Sequence, residues 1–203
     1  MERESKTKIL TEGAIMIAMA TVLSFLKVFE LPMGGSVTAF SQVPIVLYGY
    51  HRGVKKGLFL GVVHGLLQML LGGLGNFAYV KGIGSYLILI LMDYLVAFGV
   101  LGLGGALFRN MKNKILGAGL GAAAASAMRF ICHFVSGVTI WGEYADGWKS
   151  VWIYSFTYNG SYMLAECIVT IVGAVALISI PQTRKLLTEP SYSGDKQLET
   201  AGR

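Results

Sequence analysis

Residues 129–159 hold the side chains of this chain best suited to binding a small molecule. The segment reads RFICHFVSGVTIWGEYADGWKSVWIYSFTYN and includes Arg129, His133 and all three tryptophans of the chain. On both sides the sequence turns apolar for the length of a helix. Tryptophan and tyrosine are typical of membrane interfaces, where one end of the ring is apolar and the other is wet. The segment therefore predicts a polar, aromatic pocket between two helices, near a membrane surface.

The composition of the chain indicates a membrane protein. Of its 203 residues, 54% are hydrophobic and only 14% are charged, whereas soluble domains average about 25% charged residues. Cys132 and Cys167 both lie in apolar segments, so they predict neither a disulfide framework nor a metal site. The fold class predicted is an all-α membrane protein.

Six apolar segments follow one another along the chain. The second has only eight residues, too few to cross a membrane alone as a helix, and Pro181 ends the last one. We predict a cytoplasmic N-terminus at 1–8, a six-helix membrane substrate-binding domain at 9–181 and a polar, disordered cytoplasmic tail at 182–203. The predicted segments are 9–29, 43–50, 57–74, 83–108, 115–140 and 151–180.

Basic residues alternate along the connections between these segments. The N-terminus, the second and fourth connections and the start of the tail carry most of the lysines and arginines. The other connections hold only Lys81 and Lys149, with Lys27 near one edge. The positive-inside rule then predicts that both termini are cytoplasmic. Because membrane topology explains the net charge of +6, we expect no nucleic-acid partner.

Small residues recur at four-residue spacing on three predicted helices. Such faces let helices approach closely. Each could pack internally, or one could dock a partner membrane protein, and the sequence leaves both open. The residues are Ala14 and Ala18 on the first helix, Gly57, Gly61 and Gly65 on the third, and Gly117, Gly121 and Ala125 on the fifth.

Polar side chains from three helices are predicted to meet in one layer. Counted at 1.5 Å per residue from the predicted outer helix ends, they lie roughly 8–16 Å deep. A carboxylate at that depth needs a partner or a wet cavity. Asp93 could form an ion pair with Arg129 that ties two helices together, or it could serve a ligand. The layer consists of Asp93, Arg129, His133, Tyr154 and Asn159.

Three further polar residues lie near this layer. His64 and Gln68 share a face of the third helix, where we expect His64 to pack and Gln68 to be a pocket residue. Glu166 is predicted roughly 25 Å from the outer end, in a structural role or linked to a cytoplasmic partner.

The residue types in the layer suit a particular kind of ligand. Aromatic faces hold flat rings and organic cations, and a buried carboxylate neutralises a cation. An asparagine amide reads a donor–acceptor edge. The combination predicts a small, flat, aromatic and cationic nutrient that enters from outside.

These residues resemble the ThiT family, the thiamine-specific substrate-binding (S) components of energy-coupling factor (ECF) transporters. The resemblance runs from about residue 14 to residue 181. Its most specific part is the pattern from His133 through Trp141 and Tyr154 to Asn159. The matching motifs are PMGGSVTAFSQVPI, DY at Asp93–Tyr94 with LVAFGVLGLGG after it, RFICHFVSG, WGEYA and YSFTYNGSY.

The resemblance implies a binding site for thiamine near the outer surface, under the first extracellular loop. It implies that Trp141 and His133 flank the thiamine rings, and that Phe40 substitutes for a tryptophan that family members can carry in that loop. Asp93 stands where the family often has glutamate, so its reach is shorter. The pocket is completed by Asp93, Tyr94, Tyr154 and Asn159.

The resemblance also implies partners and a location. Ala14 and Ala18 match the family's docking face for the transmembrane coupling protein of the ECF module. The ATP-binding cassette ATPases would be separate chains, because no G-x-x-x-x-G-K-[ST] motif occurs here. The chain would be a multi-pass protein of the plasma membrane that has no cofactor and carries thiamine as its transported ligand.

Three other functions are compatible with some of these features to different degrees. An S component for a different vitamin or a thiamine precursor would share this fold. An intramembrane enzyme is disfavoured because Ser136 and His133 lie on one helix with no nucleophile turn and no third orienting group. A purely structural scaffold leaves the polar layer unexplained.

Overall fold

The computed structural model describes residues 6–188, and almost all of them are helical. A π-helical stretch, Leu89–Val96, joins α4 to α5, and the π and 3-10 turns Met69–Gly73 and Leu74–Tyr79 extend α3. The elements are α1 (Lys6–Ser24), β1 (Lys27–Glu30), β2 (Ser36–Thr38), α2 (Val43–Arg52), α3 (Val54–Gln68), α4 (Ile83–Ile88), α5 (Ala97–Leu107), α6 (Lys114–Thr139), a 3-10 turn (Gly142–Tyr144), α7 (Val151–Ser179) and α8 (Pro181–Thr188).

Five helical spans in the described part of the chain are long and apolar enough to cross a membrane. The ten-residue α2 lies between the first two and is the predicted short segment. The predicted class, a helical multi-pass membrane protein, is confirmed. The side of the membrane on which the termini lie stays a prediction. The spans are Lys6–Ser24, Val54–Tyr79, Ile83–Leu107, Lys114–Thr139 and Val151–Ser179.

The first span is shorter than predicted, and a β-hairpin follows it. The helix ends at Ser24, and Lys27–Glu30 pairs antiparallel with Ser36–Thr38. The turn between the strands holds Met33 at φ 66° and Gly34 at φ 94°. The prediction extended the helix to residue 29 because the segment is apolar up to that point. Apolar residues such as Val28 and Phe29 suit a strand as well as a helix, so composition could not separate the two. This hairpin marks one end of the bundle, called the hairpin end below.

Two other boundaries differ from the prediction. The glycine-rich stretch after residue 74 stays helical as far as Tyr79. Pro181 ends the last long helix as predicted but also begins α8, because proline is well suited to the first helical position. Residues 182–188 are therefore helical and not disordered. The rest of the predicted tail, 189–203, and residues 1–5 lie outside the described residues.

Two of the small-residue faces are packing surfaces inside the bundle. A Cβ added at Gly61 would lie 2.3 Å from the carbonyl oxygen of Phe98, and one at Gly65 would lie 2.6 Å from that of Tyr94. On α6, a Cβ at Gly121 would lie 3.2 Å from the Cα of Gly105. These glycines let α3 and α6 approach the span Ile83–Leu107 closely, and that span carries Asp93.

The third face differs because it is not covered. Ala14 and Ala18 are both exposed on α1. Their neighbours Ile15 and Val22 are also open, at 52% and 64% exposure. The surface formed by Ala14, Ala18, Ile15 and Val22, called the α1 face below, is the unpartnered face of the three.

Candidate ligand-binding site

A cavity of about 370 Å³ opens at the hairpin end of the bundle. Side chains from α1, α3, the π-helical stretch, α6 and α7 form its walls, and the β-hairpin contributes its roof. The volume is within the range of small-molecule sites, roughly 300–1,000 Å³. Most of the residues predicted for the site line this one cavity: Gln68, Asp93, Tyr94, His133, Trp141, Tyr154 and Asn159.

Asp93 is held by three donors in the wall of this cavity. His133 Nδ1 lies 2.9 Å from Asp93 Oδ1, while Ser136 Oγ and Trp141 Nε1 donate to Asp93 Oδ2 at 2.7 and 3.0 Å. Ser136 and Trp141 are neutral donors. When His133 is also neutral, no cation pairs with the carboxylate, and the three hydrogen bonds alone orient it. This arrangement supplies a fixed negative charge beside aromatic rings, which suits a cationic ring system.

The π-helical stretch Leu89–Val96 presents Asp93 to the cavity. Its wider turn allows the adjacent residues Asp93 and Tyr94 to line the same cavity. Such π turns are frequent at functional sites. Tyr94 Oη donates to the Gly73 carbonyl at 3.2 Å and accepts from Asn76 Nδ2 at 2.9 Å, which fixes the ring in the wall.

Asn159 joins α6 to α7 below Asp93. Its Nδ2 donates to the His133 carbonyl at 3.2 Å and to the Ser155 carbonyl at 3.0 Å. Its Oδ1 accepts from Tyr162 Oη at 3.0 Å. The amide predicted to read a ligand edge is therefore engaged within the protein, where it positions His133 and Tyr162.

Aromatic rings form a continuous wall on the α7 side. Tyr154 and Tyr158 have centroids 5.8 Å apart, and Tyr158 and Tyr162 are 6.0 Å apart. The Trp141 ring also lines the cavity, and its centroid lies 6.4 Å from that of Tyr79 and 6.0 Å from that of Tyr144. The cavity is thus lined by flat aromatic rings from α7 and by the ring of Trp141, which donates to the carboxylate.

The hairpin roof is tied to the tyrosines of α7. Tyr158 Oη donates to the Pro32 carbonyl and accepts from the Gly35 amide at 3.2 Å, and Tyr154 Oη donates to Met33 Sδ at 3.8 Å. Met33 and Tyr158 were not predicted as site residues. For Met33 the local signal was the Pro-Met-Gly-Gly turn, which indicates a change of chain direction but not where the turn lies. Tyr158 could have been found from the sequence, because it is four residues from Tyr154 and shares its helix face.

Phe40, predicted to replace a loop tryptophan, is not among the lining residues. It is 43% exposed, and its ring lies 2.7 Å from where a Cβ on Gly173 would be. The ring packs on the far part of α7 because Phe40, at φ 65°, turns the chain after β2. Other residues of the hairpin line the cavity, among them Glu30, Met33 and Ser36.

Two helix-buried groups behave as the sequence indicated. His64 is 1% exposed and packs edge-on against Phe98, with ring centroids 5.3 Å apart. Glu166, 2% exposed, accepts from the Thr38 amide at 2.8 Å and the Thr38 hydroxyl at 2.6 Å. Glu166 therefore makes a structural contact with β2, one of the two roles predicted for it, and it also lines the cavity. Its link to a cytoplasmic partner stays a prediction.

The Asp93–Arg129 ion pair, one of two alternatives for Asp93, is not present. Asp93 bonds to His133, Ser136 and Trp141, and Arg129 forms no salt bridge within residues 6–188. The Arg129 guanidinium carbon instead lies 4.5 Å from the centroid of Phe98. Ser136 is fully buried and donates its hydroxyl to Asp93, which disfavours a role as a nucleophile.

Fold and cavity together define a helical multi-pass membrane protein with a small-molecule site at one end. The family model described as "Thiamine transporter protein" matches residues 10–186. The chain belongs to this thiamine transporter family, whose members are named for transport and not for catalysis.

Individual relatives agree with this assignment. Thiamine transporter ThiT of Bacillus subtilis (strain 168) is 32% identical over 188 residues, 87% of this chain and 93% of the relative. Thiamine transporter ThiT of Lacticaseibacillus paracasei is 26% identical, covering 89% of this chain and 91% of the relative. A solved structure of ThiT from Listeria monocytogenes superposes with a TM-score of 0.69 at 27% identity, covering 92% of this chain and all of the other.

Proposed function

We propose that this chain is the substrate-binding subunit of an ECF-type transporter that captures thiamine from outside and delivers it through a partner energising module. The observation that carries the proposal is the Asp93 carboxylate, held by His133, Ser136 and Trp141 in the wall of an aromatic cavity. Thiamine has a thiazolium ring with a permanent positive charge and a second flat ring. A fixed anion beside aromatic rings complements both features.

Each part of the cavity has a role in this proposal. Asp93 neutralises the thiazolium, Trp141 and His133 flank the rings, and Tyr94 and Tyr154 complete the walls. Asn159 and Gln68 hold neighbouring groups in place, since Gln68 Nε2 donates to Ser24 Oγ at 2.9 Å. The hairpin, tied to Tyr154 and Tyr158, covers the ligand on the outer side of the membrane.

The α1 face suits the proposed transmembrane coupling protein. Its alanines leave a shallow exposed surface on which a partner helix can pack closely. The ATP-binding cassette ATPases that energise transport are separate chains in this proposal, since this sequence carries no phosphate-binding loop.

Thiamine binding to the purified chain tests the proposal directly. Thiamine should quench the tryptophan emission and raise the melting temperature, because its rings would stack on Trp141. Trp141→Phe should retain the fold and weaken affinity roughly tenfold, since it removes one donor to Asp93 and part of the aromatic face. The measurement is a fluorescence titration with a panel of vitamins and thiamine precursors, which also tests the alternative of a different substrate.

Trp152→Phe is the matched control for that titration. Trp152 is 62% exposed on α7 and does not line the cavity, so its replacement should leave affinity unchanged. If thiamine at large excess alters neither emission nor melting temperature in the wild-type chain, the assignment is wrong. A stronger response to another vitamin would favour the alternative S component.

Bulk on the α1 face should uncouple binding from transport. Ala14→Trp and Ala18→Trp should retain thiamine affinity and abolish ATP-dependent uptake, because the indole would block close approach of the partner helix. Uptake into vesicles that contain the complete transporter measures this. Leu164→Trp, at a position 67% exposed on α7, is the control and should transport normally. Normal uptake by both alanine variants would place the docking surface elsewhere.

A further inference from the structure

Arg129 is the one charged lining side chain that has neither a hydrogen bond nor an ion pair in the described part of the protein. It lies on α6, one helical turn from His133, and lines the same cavity. Its Nε is buried without a hydrogen-bond partner, and its guanidinium rests on the Phe98 ring at 4.5 Å. Within residues 6–188 it forms neither a hydrogen bond nor an ion pair.

The carboxylates that line the cavity are each engaged elsewhere. Asp93 accepts from His133, Ser136 and Trp141, and Glu166 accepts from the amide and hydroxyl of Thr38. At the rim, Glu30 pairs with Lys27 at 2.6 Å. A guanidinium inside a membrane bundle is costly unless an acceptor satisfies its donors. The ring of Phe98 compensates part of the charge but accepts none of the in-plane N–H bonds.

We infer that Arg129 binds the oxygen at the end of the ligand's hydroxyethyl arm, and that a phosphate on this arm would bind there as well. This inference rests on the proposed function. Arg129 is four residues from His133, about 6 Å along the helix axis. With the cationic ring held beside Asp93, a two-carbon arm directed along α6 brings its terminal oxygen to the guanidinium. The arm also separates the thiazolium charge from that of Arg129.

The chemistry of the guanidinium makes this contact selective. A hydroxyl accepts one N–H bond, whereas a phosphate ester accepts two parallel bonds from the planar fork and adds a charge interaction. Arg129 therefore contributes little to ring binding, more to thiamine and most to thiamine monophosphate. If Arg129 only packed on Phe98, its loss would weaken binding of the three ligands by the same factor.

Titrations of three ligands separate these roles. The ligands are thiamine, thiamine monophosphate and a thiamine analogue with an ethyl group in place of the hydroxyethyl arm. Because the analogue lacks the oxygen, its affinity in each variant is the internal reference for any change in the rings or the fold. The variants are Arg129→Met, which removes the charge and the donors, Arg129→Lys, which retains a point charge, and Arg184→Met on α8 as the matched control.

In Arg129→Met, we expect the affinity for thiamine monophosphate relative to the analogue to fall roughly 10- to 100-fold, and that for thiamine roughly 3- to 10-fold. Arg129→Lys should recover most of the phosphate preference but not the thiamine contact. If the methionine variant does not fold, the lysine variant replaces it in the comparison. Arg184→Met should leave all three affinities unchanged. Equal losses for the three ligands would overturn the inference but not the proposed function, whereas a wild-type chain that binds none of them would overturn both.

Discussion

Asp93→Asn is expected to lower thiamine affinity by roughly 2–5 kcal/mol, about 30-fold to several thousandfold, while the protein stays folded. In the proposed binding mode, this change removes the anion that neutralises the permanent thiazolium charge. The fold tolerates the change because the asparagine oxygen can replace Oδ2 and keep the bonds from Ser136 and Trp141. The new amide then faces His133 Nδ1, which can become the acceptor if the proton moves to Nε2, a nitrogen with no partner of its own.

The measurement pairs a melting curve with a thiamine titration, and Glu30→Gln is the control. Glu30 is another carboxylate of the cavity, but it lies at the rim, 52% exposed and paired with Lys27, so its loss should change affinity by less than about threefold. The double variant Asp93→Asn with Arg129→Gln should not regain affinity, because Arg129 is not the partner of Asp93. Undiminished affinity in Asp93→Asn would remove the ligand role from this residue.

Gly102→Ala is expected to cause a large loss of stability. A Cβ at Gly102 would lie 2.0 Å from the carbonyl oxygen of Gly57 and 2.7 Å from its Cα, so α5 would have to move away from the backbone of α3. Overpacking costs about 1–3 kcal/mol and more where backbone must shift, which exceeds the roughly 1 kcal/mol that alanine gains in helix propensity. Since α5 continues from the π-helical stretch that carries Asp93, thiamine affinity should fall as well.

Gly99→Ala, one turn earlier on α5, is the matched control. Its added Cβ would meet only a methyl group of Val62, at 3.2 Å, and the Leu58 carbonyl oxygen at 3.9 Å, so small side-chain shifts accommodate it. We expect its melting temperature to remain within a few degrees of the wild type, with Gly102→Ala clearly lower. Equal melting temperatures would show that the α3–α5 contact is looser than the structure indicates.

Much of the fold and site followed from the sequence because the signals involved are local. A run of apolar residues determines whether a segment spans the membrane, and a constant rise per residue determines depth. Depth alone predicted that Asp93, His133 and Tyr154 would meet, and they line one cavity. Glycines at four-residue spacing predicted close helix contacts for the same reason, since spacing along a helix sets which residues share a face.

The remaining features were decided by contacts between residues distant in sequence. Residues 27–30 form a strand because residues 36–38 pair with them, and Met33 reaches the cavity roof because Tyr154 and Tyr158 hold the turn. Phe40 leaves the site because the chain turns away after β2.

The tertiary structure also bears on the two roles that the sequence left open for Asp93, an ion pair with Arg129 or contact with a ligand. Arg129 and His133 lie on one face of α6, one turn apart, so periodicity alone could not determine which of them lies nearer the carboxylate. The packing of α6 against the π-helical stretch brings His133, Ser136 and Trp141 within hydrogen-bond distance and places Arg129 on Phe98. Helical spacing thus determined which residues could meet, and only the packing of the helices determined which bonds they make.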